Sequence, residues 1–387
     1  MISPAEGPQL VAHVITRLDV GGAQATVEAI VGGLDRRNWT PVVVTGPDDG
    51  DTRATRPMRR RLADAGVEVV DVPSLHRSIG PGELAAVREL RGALAELRPA
   101  VVHTHSSKAG VLGRLAVDLC DGTAVVHTVH GWSFHEGQPR PVVGAVAALE
   151  RRLARRCHRL VVVCEHDRDL GLQHGIGTPD QYRLIRSGLD TAAIPTVRGR
   201  IGVDPSTPVV MWGGRFAPQK DPTTLVDVIA TVHDRRPEVR FVLVGDGPQS
   251  EVVRRRIDAL GLHDVVSLLG VRNDLAELWG AADVALSTSR WEGLPRTAVE
   301  AALAGVPLVA TRAGGTAELA AWGVAIRLRE PGDVLGLARD LLSTLAEPPP
   351  KLHETRRRAL AAEFDLTTMV ARTEALYEEL VVHRAAA

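Results

Sequence analysis

Two glutamates, Glu292 and Glu300, stand with seven residues between them in the run Ser289-Arg-Trp-Glu-Gly-Leu-Pro-Arg-Thr-Ala-Val-Glu, in a context that reads as a loop leaving a strand and entering a helix. The helix N-terminus between them offers unpaired N–H groups and partial positive charge, a seat for a diphosphate. Pro295 has no N–H, so the donors of this turn are Leu294, Arg296 and Thr297, with Gly293 beside them. Either glutamate alone would be an ordinary solvated or helical residue; their joint setting is what points to chemistry. A second run, Met211-Trp-Gly-Gly-Arg-Phe-Ala-Pro-Gln-Lys, ends a strand in Gly213-Gly214 and then presents Arg215 and Lys220. Glycines admit close backbone approach, and the two cations supply the charge that a departing diphosphate needs. Lysine occurs only at positions 108, 220 and 351, which sets Lys220 apart from a casual surface charge.

Further glycine turns follow other strands. Gly245 and Gly247 lie in Val244-Gly-Asp-Gly-Pro, which lacks the third glycine of a dinucleotide fingerprint. Val271 and Arg272 follow Leu269-Gly270, and Gly314-Gly315 precede Glu318. Gly21-Gly22-Ala23 joins a strand to a helix near the start of the chain. His103, His105, His127 and His130 sit at or just beyond the carboxyl ends of two strands, with Ser106, Lys108 and Trp132 nearby. Alternation puts His103 and His105 on one side of their strand and Thr104 on the other. No adjacent Cys or carboxylate completes a metal site there, so no metal is expected. Arg151, Arg152, Arg155, Arg156 and Arg159 form a basic helix end that suits either solvent or anionic lipid.

The elements that must position these groups are repeated strand-helix units. Apolar runs at 10–16, 41–45, 67–72, 100–104, 123–129 and 160–163 each precede a polar turn and a helical-period segment, the pattern of a parallel sheet. After Ile185–Asp190 and a polar linker the pattern restarts at 209–212, 240–244, 265–269, 284–287 and 306–310. The fold class is therefore α/β, with two Rossmann-like doubly wound sheets. Residues 1–189 are expected to form one domain and 190–363 the other, with a last helix, 364–387, packing back on the first. Ligands of such sheets bind beyond the carboxyl ends of the strands, so the cleft between the two is the expected site.

The chain has 387 residues, enough for two such domains, and a formal charge of −1, which gives no global case for nucleic acid. Three scattered cysteines, Cys120, Cys157 and Cys164, fit a reducing compartment. The N-terminus does not read as an export signal and no stretch reads as a spanning helix, so a cytoplasmic protein is expected.

On the two-glutamate run with its Ala/Gly-rich helix, Gly-x-Pro turn and strand, the sequence resembles the family 4 retaining glycosyltransferases of GT-B fold, over nearly its whole length. The resemblance implies that Glu292 meets the donor sugar and Glu300 the nucleotide ribose. It implies that Arg215, Lys220 and the turns at Gly214, Gly293–Thr297 and Gly21–Ala23 hold the phosphates. Gly245, Val271 and Arg272 would lie by the base. His130 would lie beside the sugar, with His105, Ser106, Lys108 and Trp132 toward the acceptor. The implied reaction is transfer of a hexosyl unit, such as glucose or N-acetylglucosamine, from a nucleoside diphosphate sugar, by preference UDP-linked. It would go to a hydroxyl of a glycan, glycolipid or natural product, with retention and without metal or other cofactor. A lipid-linked acceptor would imply peripheral membrane contact. The sequence departs from the family pattern at Trp291, at Arg296 within the phosphate turn and at Ser187, where the family has Asn. A nucleotide-sugar epimerase or hydrolase, or a non-catalytic nucleotide-sugar binder, would use the same architecture.

Overall fold

Val42-Val43-Val44, Val101-Val102 and Val125-Val126 are apolar on both faces of an extended chain, and only the interior of a sheet covered on both sides can bury such runs. In a computed structural model, which describes residues 7–19, 21–47, 52–118, 122–135, 137–194, 204 and 206–385, they do so. Residues 1–6, Cys120 and residues 195–203 of the expected linker lie outside the described residues. The chain divides into two compact units, one of residues 1–188 with 366–387 and one of residues 189–365.

The first unit is a seven-stranded parallel sheet built from β1 (Gln9–Ile15), β2 (Trp39–Thr45), β3 (Glu68–Asp71), β4 (Val101–His105), β5 (Ala124–Val129), β6 (Arg159–Val162) and β7 (Tyr182–Leu184), in the order β3-β2-β1-β4-β5-β6-β7. Helices α1 (Gly22–Gly33), α2 (Thr52–Asp64), α3 (Glu83–Leu97), α4 (Ser107–Ala116), α5 (Arg140–Ala154) and α6 (Glu165–Gln173) make the crossovers. The second unit holds β8 (Val209–Gly213), β9 (Arg240–Val244), β10 (Val266–Leu268), β11 (Val284–Ser287), β12 (Leu308–Thr311) and β13 (Ile326–Arg329), ordered β10-β9-β8-β11-β12-β13. Its helices are α7 (Pro222–His233), α8 (Ser250–Ala259), α9 (Leu275–Leu278), α10 (Arg296–Leu303), α11 (Val334–Ala346) and α12 (Glu354–Glu363).

The last helix, α13 (Leu366–Ala385), belongs to the first unit because Met369, Leu376, Tyr377 and Leu380 are buried against Val11, Ile30, Trp39 and Val101. Tyr377 meets the Trp39 ring edge-on at 5.5 Å. Two strands went unread in the sequence, β7 and β13. Both are short edge strands, and the arginines in Tyr182-Arg-Leu and Ile326-Arg-Leu-Arg interrupt the apolar run that marks a central strand. Among the described residues no helix is long and apolar enough to cross a membrane.

Candidate functional site

Strand order in the second sheet reverses between β8 and β11, so the loops leaving their carboxyl ends depart to opposite sides and open a crevice. The loop after β8 carries Gly214 and Arg215, both half-buried, then a single 3₁₀ turn at Pro218–Lys220. Asp221 closes it in left-handed geometry (φ 45°) and caps α7 by accepting from the Thr224 N–H. The loop after β11 is clipped onto this turn. The Arg290 N–H donates to the Gln219 carbonyl at 2.8 Å, the Thr288 hydroxyl to the Lys220 carbonyl at 2.8 Å, and the Arg290 guanidinium pairs with Asp221 at 2.9 Å.

That clip brings together two residues that the sequence reading named separately. Lys220 Nζ lies 2.5 Å from Glu292 Oε1, with 17% of the lysine and 8% of the glutamate side chain exposed. The Gln219 amide donates to the other carboxylate oxygen at 3.2 Å and to the Trp291 carbonyl at 3.1 Å. A cation and an acceptor-rich carboxylate are thus held side by side at the mouth of the crevice. Glu300 lies in the second turn of α10, buried, with Trp279 Nε1–H donating to it at 3.2 Å. Burial raises its carboxyl above the ordinary 4.5, opposed by the charge of Arg296 and the Trp279 hydrogen bond. Arg296, which opens α10, is lowered by burial and raised by Glu300. Leu294 and Thr297 flank this N-terminus half-buried, and Gly293 is buried.

Glycines hold the loops this close. Gly245 has φ +136°, and a Cβ there would lie 1.8 Å from the Gly214 carbonyl oxygen. At Gly314 (φ +54°) a Cβ would lie 2.0 Å from the Glu292 carbonyl oxygen, while the Gly315 N–H donates to the Gly293 carbonyl at 2.7 Å. Gly245→Ala is therefore expected to cost about 3 kcal/mol, combining strain and overlap. The check is a urea melt; an unchanged midpoint would contradict it. After β10, Val271 is exposed and Arg272 is held bidentately by Asp274 at 2.8 and 2.6 Å.

In the first unit, the switch between β1 and β4 brings Thr16 Oγ within 3.0 Å of Ser106 Oγ, and the Ala109 N–H donates to Thr16 at 3.2 Å. Ser106, at φ 64°, caps α4 in a conformation unusual for a non-glycine residue. Gly21 caps α1, with Gly22 and Ala23 its first helical residues. Thr26 donates to the Gly22 carbonyl and reaches Ser187 at 3.3 Å. Lys108 is bound to Glu83 at 2.7 Å and to the Ser78 carbonyl. Trp132 is buried, its indole N–H donating to the Asp167 carbonyl at 2.7 Å, so it packs rather than presents a face. His105 is buried as well, behind the half-buried His130, whose Nε2 lies 3.3 Å from His105 Nδ1.

His103 and His105 do share a face, with ring centroids 4.2 Å apart, while Thr104 turns the other way to bond His127. The sequence reading missed His13 on β1, which pairs with His103 in register and completes a buried trio whose ring nitrogens approach within 4.8 Å of one another. Strand alternation alone could not find it, because it takes the β1-β4 pairing to bring it there.

The chain matches the family model "Glycosyl transferases group 1" over residues 207–347 and that of the "Glycosyl transferase 4-like domain" over residues 21–188. It is 30% identical over 277 residues to the 2-deoxystreptamine glucosyltransferase of Streptomyces kanamyceticus, covering 67% of this chain and 72% of that one. To the UDP-Gal:alpha-D-GlcNAc-diphosphoundecaprenol alpha-1,3-galactosyltransferase of Escherichia coli it is 29% identical over 263 residues, covering 65% and 68%. Among solved structures, Anabaena HepE in complex with UDP and glucose superposes with a TM-score of 0.77 at 22% identity, covering 96% of this chain and 99% of that one. Sucrose-phosphate synthase from Thermosynechococcus elongatus does so with a TM-score of 0.77 at 20% identity, covering 97% and 100%.

Proposed function

The chain belongs to the group 1 glycosyltransferases of the family 4 type and has their GT-B fold, and on that premise we propose that it moves a hexosyl unit from a UDP-sugar to an acceptor hydroxyl with retention at the anomeric carbon. The observation that carries the donor reading is the Lys220–Glu292 pair, fixed by the clip between the loops after β8 and β11 and set beside the N-terminus of α10. The uridine preference draws on the Escherichia coli relative, which is named for a UDP-galactose donor.

In this reading Lys220, Arg215 and the N–H groups of Leu294, Arg296 and Thr297 bind the diphosphate. Glu292 accepts from donor-sugar hydroxyls, Glu300 accepts from the ribose diol, and Gly245, Val271 and Arg272 border the base. His130 donates to a sugar hydroxyl, and Ser106 and Lys108 meet the acceptor. The bond from the anomeric carbon to the diphosphate breaks while that to the acceptor oxygen forms on the same face, and the acceptor proton passes to the leaving phosphate. Fixed cations stabilise the charge growing there, so no metal ion is needed. The acceptor is a glycan, a glycolipid or a natural product. Product made from a UDP-hexose and an active acceptor should keep the donor's anomeric configuration by proton NMR; an inverted product would overturn the retaining reading.

The raised carboxyl of Glu300 gives a pH test. A UDP-sugar has an esterified diphosphate that does not titrate in this range, so a change in its affinity with pH reports on the protein. Affinity should be full above the raised Glu300 value and decline as pH falls through it, at higher pH than for an unburied glutamate. Titration of Glu300→Gln should show a flatter profile; equal pH dependence in both proteins would remove Glu300 from the ribose site.

A further inference from the structure

Helix α5 has two apolar stripes where a surface helix needs one. Its inner stripe, with Ala147, Leu153 and Ala154, is buried, and the buried Glu150 beside it pairs with Arg114 of α4 at 2.8 Å. Its outer stripe places Val142, Ala145 and Leu149 at i, i+3 and i+7, all exposed, and continues into Arg152 at i+10. Val142 is 44% and Leu149 41% exposed, so the packing of the first unit does not account for them.

The neighbouring helices repeat the arrangement. Leu84, Arg88 and Arg91 stand outward on α3 at i, i+4 and i+7, and α4 ends with Leu115 exposed. The three helices share one core and are stitched at the end of α4. The Arg91 guanidinium donates to the Leu115 and Ala116 carbonyls at 3.3 Å, and that of Arg156, just past α5, donates to the Arg114 and Val117 carbonyls at 2.9 and 2.8 Å. A carbonyl acceptor leaves the charge of a guanidinium in place, so two cations flank the chain at Leu115.

Arg88, Arg152 and Arg155 are exposed and have no hydrogen bond or ion pair among the described residues. The acids of this layer do little to offset them. Glu83 is held by Lys108, Glu89 by Ser74 and Glu150 by Arg114, which leaves Glu96 and, past α4, Asp118 as exposed carboxylates. The whole chain has a formal charge of −1, so this excess of arginine is local.

We propose that the outer face of α3, α4 and α5 docks on an anionic bilayer, with Leu115, Val142 and Leu149 entering the headgroup level and the arginines meeting lipid phosphates. Exposed aliphatic side chains interspersed with guanidinium groups fit such a surface, since the first gain by leaving water and the second bind phosphate through a fixed fork of donors. Nucleic acid fits less well: it would leave the aliphatic groups in water, and the exposed face of α5 has no aromatic ring on which a base could stack. Of the acceptor classes proposed above, a glycolipid is the one that a bilayer-bound protein meets in its own plane. That step rests on the proposed transfer; the docking face does not.

The test is sedimentation of the full chain, without sugar nucleotide, with vesicles of phosphatidylcholine alone and of phosphatidylcholine mixed with phosphatidylglycerol, at low and high salt. The expected result is binding to the mixed vesicles, weakened by salt, and little binding to phosphatidylcholine alone. In the combined variant Arg88→Gln, Arg152→Gln and Arg155→Gln, partition onto mixed vesicles should fall about 100-fold. In Val142→Ser with Leu149→Ser, the binding that survives high salt should fall about 10-fold. The three arginines hold nothing in the fold, so their variant should melt with the parent and bind UDP as the parent does. Failure of the parent to bind UDP would overturn the donor reading and leave the docking face standing. Absence of parent binding to mixed vesicles would overturn the proposal, as would equal binding by the arginine variant or equal binding to uncharged vesicles. So would tighter binding to single-stranded RNA than to mixed vesicles. A dimer in light scattering that the serine variant dissolves would also overturn it, by assigning the stripe to a second copy of the chain.

Discussion

Lys220→Ala is expected to lower turnover about 100- to 1,000-fold, the loss that follows removal of one fixed donor from a site where negative charge develops. Lys220 is suited to this because its ammonium is pinned: the 3₁₀ turn that carries it is bonded to the loop after β11 through Gln219 and through its own carbonyl, and Nζ lies 2.5 Å from Glu292. A cation already oriented needs no reorganisation when the diphosphate departs. Its removal also leaves the Glu292 carboxylate with Gln219 as its remaining partner among the described residues. The effect should fall on kcat more than on donor KM, since the interaction strengthens as charge moves to the leaving group. Lys220→Arg should restore only part of the rate, because a planar fork does not reproduce a point charge. Steady-state rates near those of the parent protein would show that the phosphate lies elsewhere.

Glu300→Ala is the second large effect, and it should appear in binding. Two hydrogen bonds from a ribose diol to a carboxylate are worth roughly 2–3 kcal/mol together, so nucleotide affinity should fall about 30- to 150-fold. The ligand-free protein should tolerate the change, because burial of Glu300 already works against its charged form. A buried carboxylate that does little for the empty fold and much for the complex is the pattern of a binding residue. Calorimetric titration of the variant with UDP decides it: parental affinity would leave Glu300 as a packing residue of α10 bonded to Trp279.

The parts of this picture that were legible in the sequence are local ones. Central strands such as β8, β9 and β11 are short apolar runs ending in glycine or polar turns, and the two loops of the proposed donor site carry their charged and glycine residues within a dozen positions. Edge strands β7 and β13 were not legible, because a half-solvated strand keeps its charges. The contacts between loops were hidden for a different reason. Asp221 and Arg290 are 69 positions apart, His13 and His105 are 92 apart, and His103 and Tyr377 are 274 apart. Nothing in His13 or Tyr377 marks it beyond a polar group among apolar neighbours; only the β1-β4 pairing and the return of α13 bring them together. For the same reason His105 looked like a group facing an acceptor, whereas it is sealed behind His130.

The central claim is that the strand ends of the second unit form a uridine diphosphate site that works without metal. Isothermal titration of the purified chain with UDP, GDP and ADP in the presence of chelator tests it most directly, repeated on Glu300→Ala and Lys220→Ala. The account predicts selective binding of UDP, weakened in both variants. Affinity no better than about 1 mM for every diphosphate, or variants that bind as tightly as the parent, would contradict it.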